Sequence, residues 1–124
     1  MIIITIPAYN EEKTIGPVIK RIHKIMGQIN KEYKILVLND GSKDGTIKVS
    51  KENRAKVVSN KRNLGLAKTF KNEMKECIKM QADIIIHTDA DGQYPEKYIP
   101  QMIKEIEKGY DLVLGSRFGK GKYS

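Results

Sequence analysis

A single cysteine, Cys77, stands in a chain of 124 residues, so no internal disulfide can form. Its neighbours Met74 and Ile78 share a helical pattern, and it reads as a small buried apolar side chain. No apolar stretch approaches the ~20 residues that cross a bilayer. The longest, Met1 to Ile6 and Ile84 to Ile86, have the length of strands. No basic leader or small-residue cleavage site follows Met1, and a cytoplasmic location is the expectation. The phosphate- and cofactor-binding signatures are also missing. There is no Gly-x-x-x-x-Gly-Lys-Ser/Thr loop and no Gly-x-Gly-x-x-Gly after the first strand. Nor is there a histidine and cysteine cluster at zinc spacing, or a Gly-x-Ser-x-Gly elbow. These absences set aside P-loop, dinucleotide-dependent and serine-hydrolase chemistry. No repeat or low-complexity linker appears before Gly119-Lys120-Gly121-Lys122. The expected organisation is one domain over 1–118 and a flexible or truncated tail over 119–124.

What is present begins with charge. The formal net charge is +8, which favours phosphate-rich partners such as nucleotides and anionic lipid surfaces. The lysines are interleaved with glutamates along helical stretches, as on solvated faces, and no nucleic-acid partner is expected.

Along the chain, strand and helix patterns alternate. Ile2 to Ile6 is a β-branched run closed by Pro7, and a helix carrying Ile15, Val18, Ile19 and Ile22 follows, with Asn10, Glu11 and Glu12 as start signals. Tyr33 to Leu38 is a second strand. Asp44 or Ser42 can cap the short helix that begins near Thr46. Lys56 to Ser59 is a third strand, and Leu66, Phe70, Met74, Cys77 and Ile78 mark the apolar stripe of a third helix. Asp83 to Thr88 is a fourth strand. A helix carrying Ile99, Met102, Ile103 and Ile106 then ends at Gly109, and Asp111 to Arg117 is a fifth strand. This alternation implies an α/β fold: a three-layer α/β/α sandwich with a mainly parallel, Rossmann-like sheet.

In such sheets ligands bind beyond the carboxyl ends of the strands. Pro7 to Glu11, Asn39 to Ser42, Asp89 to Gln93 and Ser116-Arg117 each follow a strand, so four polar segments converge on one rim. Asp89 and Asp91 are one residue apart, and in an extended chain such residues share a side at roughly 7 Å spacing. Paired carboxylates of this kind suit Mg²⁺ or Mn²⁺, whose remaining positions go to water and substrate phosphates. His87, two residues earlier, could share that side, but a strand-interior structural role is preferred. Lys61 and Arg62 read equally as phosphate ligands or as an exposed basic turn.

Five segments in order then become recognisable: Ile6-Pro7-Ala8-Tyr9-Asn10-Glu11-Glu12, Asn39-Asp40-Gly41-Ser42-Lys43-Asp44-Gly45-Thr46, Asn63-Leu64-Gly65-Leu66, Asp89-Ala90-Asp91-Gly92-Gln93 with Pro95, and Gly115-Ser116-Arg117. Together they resemble family 2 glycosyltransferases of the GT-A fold, in the flavour of the dolichyl- and polyprenyl-phosphate mannosyl- and glucosyltransferases. The resemblance implies that Pro7, Tyr9 and Glu11 hold the base and ribose of a nucleotide sugar. Asp40 would hydrogen-bond the base and Leu38 would add backbone contacts. Asp89 and Ala90 would line the nucleotide sugar. Asp89, Asp91 and Gln93 would hold Mg²⁺ or Mn²⁺, and Arg117 would face a phosphate. Asp91 and Arg117 are the implied catalytic residues.

The implied reaction is inverting transfer of a hexose from a GDP-mannose- or UDP-glucose-class donor to a polyprenyl or dolichyl phosphate. It would take place at the cytoplasmic face of a membrane, with peripheral membrane contact and with a second copy or another chain as candidate partner. A non-catalytic nucleotide-sugar-binding module, or a truncated subunit lacking the acceptor half, is the alternative. Three departures stand out. Asn39 replaces the first of two successive aspartates, Thr69 and Glu73 replace residues that are usually small, and the chain stops soon after Arg117.

Overall fold

The computed structural model describes residues 1–88, 99–107 and 113–114. In chain order the elements are β1 (Ile2–Ala8), α1 (Ile15–Met26), β2 (Tyr33–Asp40), α2 (Thr46–Glu52), β3 (Lys56–Asn60), α3 (Leu66–Lys79), β4 (Ile84–His87), α4 (Ile99–Glu107) and β5 (Val113–Leu114). The sheet has the order β3-β2-β1-β4-β5, and every pairing is parallel. The strand order steps outward from β1 to β3, and α3 then returns the chain to the other side of β1. The rim between β1 and β4 is therefore the point at which the order switches.

Isoleucine-rich strands follow from burial on both faces, because β-branched side chains suit a pleated, doubly covered surface. Ile2, Ile4 and Ile6 pack with Ile35, Val37 and Ile86 against Ile15, Val18, Ile19, Ile22 and Met26 of α1 and Ile99 and Ile103 of α4. Fully burying one such side chain is worth about 1.5–3 kcal/mol. On the opposite face, Ile3, Leu36 and Leu38 meet Cys77 of α3 in a smaller cluster. Helices thus cover both faces, as expected of a three-layer sandwich.

Two element boundaries differ from expectation. β1 does not stop at Ile6 but runs through Pro7 to Ala8, with Pro7 registered against Leu38. Alternate residues of a parallel strand bond to opposite neighbours. The Ile2 N–H donates to Glu32 O toward β2, whereas the Thr88 N–H donates to Thr5 O from the β4 side. Pro7 therefore turns its missing N–H toward β4, away from β2, and the β1–β2 register continues through Pro7 to Ala8 and Asn39. The first helix starts at Ile15 rather than at Asn10 to Glu12, because Asn10 has φ of 52° and is committed to other bonds.

The third helix was expected to bury Leu66, Phe70, Met74, Cys77 and Ile78. Cys77 is buried as expected, but Thr69 and Glu73 join it there, Phe70 and Met74 are half-buried, and Leu66 and Ile78 are 65% and 75% exposed. Its inner face is largely polar because the strand ends beneath it are polar. Gly109, the outer residues of the expected fifth strand and the tail 119–124 lie outside the described residues.

Candidate functional site

The loops after β1 and β2 are tied together by reciprocal bonds between side chain and backbone. The Asn10 N–H donates to Ser42 Oγ at 2.8 Å, and the Lys43 N–H donates back to Asn10 Oδ1 at 2.9 Å. The Glu11 N–H donates to Thr46 Oγ1 at 2.8 Å, and the Thr46 hydroxyl in turn donates to Asp44 Oδ1. The Glu12 N–H reaches Asp44 Oδ2 at 3.3 Å, and the Gly45 N–H donates to Glu12 Oε2 at 3.0 Å. Asn10 adopts its left-handed conformation within this exchange, a region asparagine tolerates better than most residues. Sequence reading treated these residues as helix start signals. For Asp44 that is half right, since its Oδ1 also accepts the Thr46 N–H at 3.0 Å, just ahead of α2. Ser42 caps nothing and serves the neighbouring loop. The signal was present in the sequence, because Asn, Asp, Ser and Thr clustered after a strand bond readily to nearby backbone.

Asp40, the last residue of β2, is 6% exposed and holds the next loop. Its Oδ1 accepts the Leu64 N–H at 2.7 Å and the Asn60 amide at 2.9 Å, and its Oδ2 accepts the Gly65 N–H at 3.0 Å. Burial pushes this carboxyl up, but hydrogen bonds from Leu64, Asn60, Gly65 and Thr69 outweigh it and hold the group below the ordinary carboxylate value. Gly41 follows with φ of +78°. A Cβ there would lie 2.5 Å from the backbone of Arg62 and Asn63, so the two loops touch main chain to main chain and only glycine fits. Lys61 and Arg62 are exposed on the outside of that turn.

Several of the residues implied by the resemblance meet at this rim. Pro7 and Leu38 are direct cross-strand partners, and Asp40 lies two residues beyond Leu38. Leu38 sends its side chain into the core on the α3 face, leaving only its backbone for a ligand. Tyr9 is 45% exposed, so a broad ring face is free to stack. Glu11 is half-buried and its Oε2 accepts the Thr14 hydroxyl at 3.2 Å. Asp89, Ala90, Asp91, Gln93 and Arg117 lie outside the described residues. No group of three or more His, Cys, Asp or Glu that could hold a metal occurs among the described residues. The candidate donor set of Asp89, Asp91 and Gln93 consists of hard oxygens, which fit Mg²⁺ or Mn²⁺ chemically.

β4 delivers the chain to that segment from a pinned position. The Thr88 N–H and hydroxyl both donate to Thr5 O, at 2.8 and 3.1 Å. His87 is buried with Nδ1 2.6 Å from Glu73 Oε1 and 3.3 Å from Thr5 Oγ1, and its ring meets Phe70 edge-on at 5.6 Å. It is a buried histidine at the last position of β4.

The model of the family described as glycosyl transferase family 2 matches residues 3–123. The chain belongs to that family. Among its relatives, the dolichol-phosphate mannosyltransferase of Pyrococcus furiosus is 32% identical over 122 residues, covering 95% of this chain and 33% of that protein. The undecaprenyl-phosphate 4-deoxy-4-formamido-L-arabinose transferase of Pseudomonas fluorescens is 32% identical over 117 residues, covering 89% of this chain and 33% of that protein. Glucosyl-3-phosphoglycerate synthase of Mycobacterium tuberculosis, solved with Mn²⁺, UDP and glucosyl-3-phosphoglycerate, superposes with a TM-score of 0.68 at 22% identity. That match covers 86% of this chain and 39% of the synthase. The likeness to these structures places the family 2 chain in the GT-A fold. The chain spans only 33% to 46% of the length of the first curated relatives it matches.

Proposed function

We propose that this chain is the donor-binding part of a metal-dependent, inverting glycosyltransferase that moves a hexose from a nucleotide diphosphate sugar to a polyprenyl or dolichyl phosphate. The observation that carries the reading is the rim itself. Two interlocked loops present the Tyr9 ring and the Asp40 carboxylate, and the sequence places Asp89-Ala90-Asp91 immediately after the pinned Thr88. The polyprenyl- and dolichol-phosphate specificities of the relatives support the acceptor class. The Mn²⁺ and UDP of the structural neighbour support the donor class.

Each residue has a physical task in this reading. Tyr9 stacks on the base, and Pro7 and Glu11 with the backbone of Leu38 frame the base and ribose. Asp40 accepts hydrogen bonds from Asn60, Leu64 and Gly65, and Thr69 also bonds to it. As a carboxylate it can only accept. It therefore selects a base that offers a ring N–H, as uracil and guanine do, and disfavours adenine and cytosine, which present a ring acceptor there. Asp89, Asp91 and Gln93 would hold the divalent cation, which when bound supplies charge neutralisation for the diphosphate leaving group. Arg117 offers a planar, permanently charged fork to phosphate. A lipid phosphate is already ionised near neutral pH, so the attacking oxygen needs no general base.

The short span relative to the relatives favours one companion reading. The chain binds the donor, while acceptor contacts, membrane attachment and turnover require a further segment or a partner chain. Among the described residues, no helix is long and apolar enough to cross a membrane.

Calorimetric titration with UDP-glucose, GDP-mannose, ADP-glucose and the free diphosphates, with Mn²⁺ or with chelator, tests the reading. Metal-dependent binding of the uridine or guanosine ligand, lost in Asp91→Ala, is the expected result, and transfer to polyprenyl phosphate is then assayed. Equal binding of ADP-glucose would remove the role given to Asp40. No binding under any condition would overturn the donor site.

A further inference from the structure

α3 rests on the sheet through a polar seam. Asn60 Nδ2 donates to Asp40 Oδ1 and to Thr69 Oγ1, at 2.9 and 3.2 Å, and Asn72 Nδ2 donates to Asn60 Oδ1 at 3.0 Å. One helical turn beyond Thr69, Glu73 engages His87, the last residue of β4. Glu73 is 0% exposed, and its Oε2 has no hydrogen-bond partner among the described residues. A buried carboxylate in this state is costly and is a poor way to stabilise a fold, since apolar groups of similar volume serve as well or better. An arrangement that a hydrophobic pair could replace with a gain in stability calls for another use. Its location supplies one. His87 and Thr88 are the two residues ahead of Asp89, and together they are fixed from two directions. Thr88 is bound twice to Thr5 of β1, and the His87 ring is held by Glu73 from α3.

We propose that Glu73, acting through His87, is a positioning residue for the Asp89-Ala90-Asp91 metal-ligand segment. This rests on the donor-site reading given above. The His87–Glu73 bond fixes the ring and the end of β4, and so the direction from which the chain enters the ligand segment. Outer-shell groups that orient metal ligands typically cost about 10- to 100-fold in metal affinity when lost, and here the orientation passes through the backbone from His87 to Asp89 rather than through a ligating imidazole. Glu73 itself touches neither metal nor donor. The same seam reaches Asp40, so one helix registers the base-binding end of the rim against the metal-binding end.

The test compares the wild-type chain with Glu73→Ala and with the double variant Glu73→Met/His87→Leu. Mn²⁺ affinity is read by electron paramagnetic resonance, and UDP and GDP binding with and without Mn²⁺ by calorimetry. Amide exchange is followed over residues 84–91 in the metal-free chain, alongside the thermal midpoint. Glu73→Ala is expected to accelerate exchange over 84–91 and to weaken Mn²⁺ binding by ~10-fold or more. Nucleotide binding without metal should stay within about twofold, since no Asp40 or Tyr9 contact is removed. The double variant should match or exceed the wild-type midpoint and still bind Mn²⁺ weakly. Recovery of Mn²⁺ affinity together with the midpoint would make the pair merely structural and overturn the proposal. Unchanged exchange and affinity in Glu73→Ala would do the same. A wild-type chain that takes up no Mn²⁺ would overturn the donor-site reading, and the positioning role with it.

Discussion

The two faces of the sheet are packed by different chemistry. Toward α1 and α4 the interface is dry, built from Ile4, Ile6, Ile19, Ile22, Ile86 and Ile99 with no exposure. Toward α3 the fully buried apolar cluster shrinks to Ile3, Leu36, Leu38 and Cys77, edged by half-buried Met1, Val58, Met80, Ala82 and Ile85, and beside it Thr5, Asn60, Thr69, Glu73 and His87 are joined by hydrogen bonds. The dry face depends on filled volume and tolerates little loss of it. The polar face depends on directed bonds, which fix the angles of loops but contribute less net stability each. The dry face makes the fold, and the polar face ties α3 to the strand ends of the candidate rim.

The sharpest way to break this contrast is to remove volume from the dry side. Ile19→Ala, at a fully buried position of α1, should cost about 2–5 kcal/mol in chemical denaturation, with nucleotide affinity unchanged in whatever fraction remains folded. A loss of affinity at full folding would mean that the two faces are not separable.

On the polar side, Asp40→Asn keeps the volume but turns an amide toward the Gly65 N–H. The expected cost is about 1–3 kcal/mol, accompanied by faster proteolysis within 60–65. The pH dependence sharpens the comparison. Asp40 has a lowered value in the folded chain, so its contribution is complete above the unfolded carboxylate value of ~3.9 and fades as pH falls through that value toward the folded one. The stability gap between wild type and Asp40→Asn should therefore be constant from pH 7 to about 5 and narrow below ~4. A gap that widens in acid would contradict the network.

The smallest effect is on reactivity. Burial pushes the Cys77 thiol up to about 12, and the nearby Glu73 and Glu76 add to the rise. At pH 8 the native thiol should resist a disulfide reagent and react only on unfolding. Prompt labelling of native protein would mean that the α3 face opens readily.

The dry face was legible in the sequence because isoleucine at strand and helix periods has one physical meaning. The polar face was not. Thr69 and Glu73 count as solvent-facing in any hydrophobic pattern, and only the arrival of Asn60, Thr5 and His87 beneath them turns that stripe inward. The same limit explains Pro7. Proline reads as a stop until it is known that its strand goes on in register with β2. The described part of the candidate site was legible as residue types at strand ends. The division of labour within it was not, since Asn10, Ser42, Asp44 and Thr46 spend their side chains on one another's loops.

That mutual dependence has a consequence for inheritance and for engineering. Asn10 and Glu12 in one loop are satisfied by Ser42, Asp44 and Gly45 in the other, and Gly41 abuts the main chain of Arg62 and Asn63. The transplantable unit is then all three loops together, although they lie far apart in sequence. A chimera that imports one of them from a relative of different donor preference would import its orphaned bonds as well. Substitutions in these segments should accordingly travel as sets between lineages.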